Sequence, residues 1–151
     1  MAQVSDNLWE DLVLSILSVN QYSLEKTYLA VEGLRREGLF EPDNLISLPA
    51  NEISTRLKQG GLNRGVFMTT LFAHRLSSLG YFLQSNGLKA CEAILQSNDS
   101  SAIGELLLPI KGIGPKVLQN FFILRGISVS EKATPPNEGL KTKFSRSGRP
   151  G

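Results

Sequence analysis

Lys111-Gly112-Ile113-Gly114-Pro115-Lys116 sets two lysines around a Gly-x-Gly turn, and the chemistry these residues favour is the holding of an oxyanion. Glycine lets the backbone take positive φ and come close to a ligand, and proline fits the first position of a helix, where its missing N–H is not needed. Both glycines are expected at positive φ, with Gly112, Ile113 and Gly114 turning their backbone N–H groups outward. Those donors and the positive end of the following helix dipole make a seat for a phosphate, flanked by Lys111 and Lys116. Such contacts fix a protein on a strand without reading bases, so the turn is expected to bind duplex DNA of any sequence. The plainer alternative is a tight interhelical turn with solvated lysines beside it.

The apolar runs on either side, Leu106-Leu107-Leu108 before and Val117-Leu118 with Phe121-Phe122 after, make this a helix-hairpin-helix over residues 101–125. Ser100 or Ser101 is available to start its first helix, and Gly126 to stop its second. Upstream, Leu8, Leu12, Ile16 and Val19 recur at helical spacing, as do Leu24, Tyr28, Val31 and Leu34, with Ser23 placed to cap the second set. A polar segment from Glu41 to Asn51 holds a short apolar patch and a turn at Pro49. Ile53 and Leu57 then suggest a short helix ended by Gly60-Gly61. From Asn63 to about Leu83 a long helix carries the stripe Phe72, Leu76, Leu79 and Leu83, with His74 off it, and Leu88, Cys91 and Leu95 follow on a shorter one. No strand signal interrupts this pattern, so the fold class is all-α, a domain of short helices over residues 8–127.

At 41% hydrophobic and 20% charged, 151 residues suffice for one domain with a real core. A single cysteine, Cys91, excludes an intramolecular disulfide; with a single histidine it also excludes a zinc or iron–sulfur site built by this chain alone, so neither metal nor cofactor is expected. The lack of a signal-like leader or a membrane-length apolar run points to a soluble, cytoplasmic protein, nucleoid-associated in a bacterium, with no membrane partner. The net charge is +2, and the segment after Gly126 has five basic against two acidic residues, a net of +3 that leaves about −1 for the body. Bulk charge therefore does not argue for DNA, and the case rests on the hairpin. Residues 128–151, rich in Pro, Gly, Ser and Lys, are expected to form a disordered tail.

With these segments in order, the chain resembles the helix-hairpin-helix DNA glycosylase superfamily, in particular the endonuclease III-related proteins with the HhH-GPD domain. Trp9 to Gln21 looks like the family's first core helix, ending in an Asn/Gln turn that faces DNA; Gly60-Gly61-Leu62-Asn63-Arg64 is similar to its turn before the long helix; Ile110 to Lys116 is similar to its hairpin. The resemblance implies base-excision repair, in which a damaged base is flipped out of the duplex into a pocket. It places Lys111, Gly112, Ile113, Gly114, Lys116, Asn20, Gln21, Asn63 and Arg64 at the DNA. Lys116 stands where certain members carry an amine that attacks the sugar and cuts the strand through a Schiff base, a role that stays open beside simple phosphate contact. Asn20 and Gln21 either fill the gap left by a flipped base or cap their helix.

The chain departs from the family pattern in ways that bear on activity more than on fold. The family's aspartate beyond the second hairpin helix, which stabilises positive charge on the sugar, has no counterpart: no aspartate follows Asp99, and Glu131 and Glu138 lie in the tail. The helices that close the family's second lobe are also missing, Leu118 stands where a small alanine is common, and Gly65 replaces an expected lysine. Three functions follow as expectations: a glycosylase or abasic-site lyase, a non-catalytic DNA-binding module, and an all-α protein-interaction domain with an incidental turn. Duplex DNA, damaged or abasic, is the partner in the first.

Overall fold

A computed structural model describes residues 8–19 and 24–128, and the described residues are all helical in their regular structure. The helices are α1 (Leu8–Leu17), α2 (Leu24–Tyr28), α3 (Val31–Arg36), α4 (Pro42–Ser47), α5 (Ala50–Gln59), α6 (Val66–Asn86), α7 (Leu88–Leu95), α8 (Ser100–Leu107) and α9 (Pro115–Arg125). The all-α class is thus the class observed. No described helix is long and apolar enough to cross a membrane.

The long helix α6 is the axis on which the others are placed. Its inward stripe of Phe72, Leu76, Leu79 and Leu83 is almost completely buried, with α4 and α5 packed along it and α1 touching it as well. Nearly every residue of α1 is buried, which a ten-residue helix manages only by being enclosed on all sides. On its other side α1 packs against α9, whose Phe121 is fully buried. Two backbone approaches are close enough to exclude any side chain. A Cβ on Gly33 of α3 would lie 2.0 Å from the Gly60 carbonyl oxygen, and one on Gly80 of α6 would lie 1.9 Å from the Leu45 carbonyl oxygen of α4.

Several elements differ from the sequence expectation. The stripe from Leu24 to Leu34 forms two helices, because the Leu29 and Ala30 N–H groups donate to the carbonyls three residues back, Lys26 and Thr27. That tight turn throws Leu29 into solvent at 88% exposure and leaves Tyr28 exposed, and α3 sets off on the new course that brings Gly33 onto Gly60. The polar segment 42–47 is a helix with Pro42 at its first turn. The long helix begins at Val66 rather than Asn63, and Asp99, not Ser100 or Ser101, caps α8 by accepting from the Ser101 and Ala102 N–H groups at 3.1 and 3.2 Å. The expected cap Ser23, and the tail beyond Ser128, lie outside the described residues.

Candidate nucleic-acid interface

The hairpin turn is built by burying its aliphatic side chains and leaving its polar backbone outside. The Ile110 N–H donates to the Leu107 carbonyl at 3.0 Å and the Ile113 N–H to the Ile110 carbonyl at 3.1 Å, while both isoleucine side chains are about 5% exposed or less. Ile113 is therefore an anchor: its N–H is used within the turn and its side chain lies in the core, which removes it from the expected set of outward donors. Lys111, Gly112 and Lys116 are exposed.

The two glycines have different duties. Gly112 sits at φ +91°, and a Cβ there would meet Arg75 Cγ of α6 at 2.6 Å, so both the backbone angle and the neighbour require glycine. Gly114 is extended at φ −125°, with nothing within 4 Å of a Cβ, which corrects the expectation of positive φ at both positions. Gly114 is the N-cap of α9 and, having no side chain, leaves the first-turn donors of that helix without a side-chain acceptor, while Pro115 at N1 has no N–H to satisfy. The Lys116 and Val117 N–H groups are thus directed out of an uncapped helix end beside two exposed lysines. The Leu118 side chain points toward α8, where its Cδ1 would be 3.8 Å from a Cβ on Gly104. Gly104 of the facing helix thus supplies the small residue at this contact.

The turn before α6 is tied to the hairpin through a residue that sequence reasoning missed. The Arg75 guanidinium carbon lies 5.4 Å from the centroid of the buried Phe72 ring, and that of Arg64 lies 5.0 Å from it, favourable positions for cations on an aromatic face. Arg64 also donates from Nη1 to the Val19 carbonyl at 3.2 Å and from its backbone N–H to Thr69 Oγ1 at 3.0 Å. A continuous line therefore runs Gly112–Arg75–Phe72–Arg64–Val19, and three segments distant in sequence meet along α6. Arg64, half-buried and so bonded, is a strut between the segment just after α1 and α6, a structural duty at a position where the resemblance expects a DNA contact. Asn63 is exposed and accepts from the Gly65 N–H through Oδ1 at 3.1 Å, shaping the turn. Asn20 and Gln21 lie outside the described residues. The only sequence sign of Arg75 was a cation three residues beyond a core phenylalanine on a helix otherwise poor in charge.

A second set of contacts holds α9 against α1. Asn120, 2% exposed, donates from Nδ2 to the Ser18 carbonyl at 2.9 Å and the Ser15 carbonyl at 3.3 Å. Arg125 donates from Nη1 to Asp11 Oδ2 at 3.1 Å, with side-chain exposures of only 3% and 10%. Burial pushes the Asp11 carboxyl above its ordinary value, opposed by the Arg125 hydrogen bond and charge. The second hairpin helix is thereby fixed along α1, from Asp11 to Ser18 just past its end. Among the described residues no group of three or more His, Cys, Asp or Glu is placed to hold a metal ion.

With this geometry in view, no family model, curated protein or solved structure matches the chain.

Proposed function

We propose that this chain is a DNA-binding protein of the base-excision repair type, similar to the endonuclease III-related glycosylases, which grips the backbone of duplex DNA through its helix-hairpin-helix. The observation that carries the reading is Gly112, exposed at positive φ between Lys111 and the uncapped start of α9, and seated on Arg75 where no side chain fits. A phosphate drawn to this turn would meet helix-end N–H donors and the charges of Lys111 and Lys116. Affinity is weak, independent of sequence and reduced by salt, because few cations take part and counterion release drives the binding. The resemblance supplies the repair context, and the body's small net charge leaves the hairpin as the source of affinity.

The test separates the two glycines. Gly112→Ala is expected to destabilise the chain by about 1–3 kcal/mol through strain and the Arg75 contact, and to weaken duplex binding at temperatures where the variant is folded. Gly114→Ala is expected to change stability by less than about 0.5 kcal/mol, given its ordinary backbone angle. Retention of full duplex affinity by a folded Gly112→Ala variant would exclude the hairpin as the DNA site.

A second reading, a non-catalytic module of the same kind, is favoured by the lack of any aspartate after Asp99. The two readings differ at Lys116, which is exposed on the first turn of α9. As a nucleophile, its amine would attack the open aldehyde of an abasic site and form a Schiff base with loss of water, a step that needs no base-excising carboxylate. Little or no excision from intact DNA is expected, with slow cleavage at a pre-formed abasic site. Borohydride should trap a covalent adduct that Lys116→Gln abolishes. No adduct from the parent chain would leave the non-catalytic module, and efficient excision of a damaged base would show that the missing aspartate has a substitute.

A further inference from the structure

The outward face of α6 carries three exposed rings at seven-residue intervals. Phe67 is 77% exposed and Tyr81 74% exposed, with the exposed His74 midway between them. Two helical turns nearly restore the same direction, so the three stand in one row with steps of about 10.5 Å along the axis. They are too far apart to cover one another, and all three are exposed. An apolar face left open on a long core helix demands a reason, since single exposed aromatics are ordinary but an aligned row is not.

The surroundings of the row say what suits it. Hollows of about 560, 500 and 370 Å³ share His74 as a common wall. The largest runs from His74 past Ser78 and Tyr81 to Ser85 and Lys111, the second reaches Arg75 and Gly112, and the third lies on the opposite flank toward Lys58 of α5. Lys58, Arg75 and Lys111 therefore border the row, and none of the residues lining the three hollows is a carboxylate. The 21 residues of α6 include no Asp or Glu at all. In a body of about −1 net charge, this helix and the hollows beside it carry no carboxylate. Hydroxyls, scattered cations and spaced rings are the equipment for unpaired bases on a phosphate backbone: the rings stack bases of any identity and the cations follow the phosphates. A duplex presents no free base faces to such rings.

We infer that the outer face of α6, from Phe67 to Tyr81, is a second nucleic-acid site, one that takes a single unpaired strand. It borders the hairpin through Lys111 and does not depend on the hairpin holding DNA, because the rings and Lys58 lie outside the turn. A protein that held a duplex at Gly112 would here receive a strand opened from it.

Titration of a fluorescent oligo-dT strand with the full chain tests the site, since thymine bases stack without pairing to one another. Phe67→Ala with Tyr81→Ala is expected to weaken oligo-dT binding about tenfold or more, the loss expected from removing one or two stacking contacts. Both side chains are exposed, and an unchanged melting temperature should accompany that loss. Tyr81→Phe keeps the ring and should keep parental affinity. Lys58→Gln should lower the slope of log affinity against log salt by about 0.7. Lys116→Gln, outside all three hollows, should spare oligo-dT binding while it weakens duplex binding, so the two sites fail independently. The inference is overturned if the double alanine variant binds oligo-dT as tightly as the parent, if Lys116→Gln abolishes oligo-dT binding, or if an acidic peptide competes as well as the strand does.

Discussion

Arg125→Met is expected to destabilise the chain by about 3–5 kcal/mol at neutral pH, the range for leaving one member of a buried ion pair without its partner. Arg125 and Asp11 join α9 to α1 with side chains 3% and 10% exposed, so the carboxylate left behind has little access to water. The loss should shrink in acid. Burial already raises the Asp11 carboxyl above its ordinary value, and Arg125 is the influence that lowers it; without Arg125 the folded-state value moves further up. A carboxyl raised on folding favours the folded chain while it is protonated, and this advantage disappears as pH rises through its folded-state value. Urea melts of parent and variant should therefore differ most near pH 7 and converge on acidification toward about pH 4. Asp11→Leu combined with Arg125→Met removes both charges and should recover much of the loss. Equal losses at the two pH values would show that Asp11 is not the group left stranded.

Phe121→Ala is expected to cost about 3–5 kcal/mol and more than about 10 °C in Tm. Phe121 is fully buried, and it lies on the helix that begins at the hairpin, one residue from the Asn120 amide that holds the carbonyls of Ser15 and Ser18. Truncation leaves a cavity between α9 and α1 that these polar contacts cannot close. Calorimetry reads the stability loss directly. Duplex binding measured well below the new Tm should remain near parental, because Lys111, Gly112 and Lys116 stand on the solvent side of the turn; a proportional loss of affinity in the folded variant would mean that the phosphate seat depends on core packing as well as on local turn geometry.

Both predictions concern contacts that no local pattern in the chain announces. Periodicity was enough for the all-α class and for α1 and α6, and with Pro115 for the second hairpin helix α9, because a stripe at 3.6-residue spacing and a proline at N1 act within a few turns of chain. The exposure of Lys111, Gly112 and Lys116 also follows from the sequence, since a polar Gly-x-Gly turn between apolar runs has no other place to go. The break between α2 and α3 was not legible, because Tyr28 fits the apolar stripe in sequence and is expelled only when Gly33 must reach Gly60. The duties of Gly112 and Gly114 could not be told apart, since both residues read as permissive and only the approach of Arg75 selects Gly112. Arg64 was placed at the DNA by the resemblance of its turn; its bond to Val19 and its place on Phe72 were not legible, because they depend on where α1 ends relative to α6. The row of Phe67, His74 and Tyr81 is present in the sequence as a spacing. Its meaning is tertiary, because helical periodicity lines the three rings up and only the packing of the other helices leaves that face uncovered.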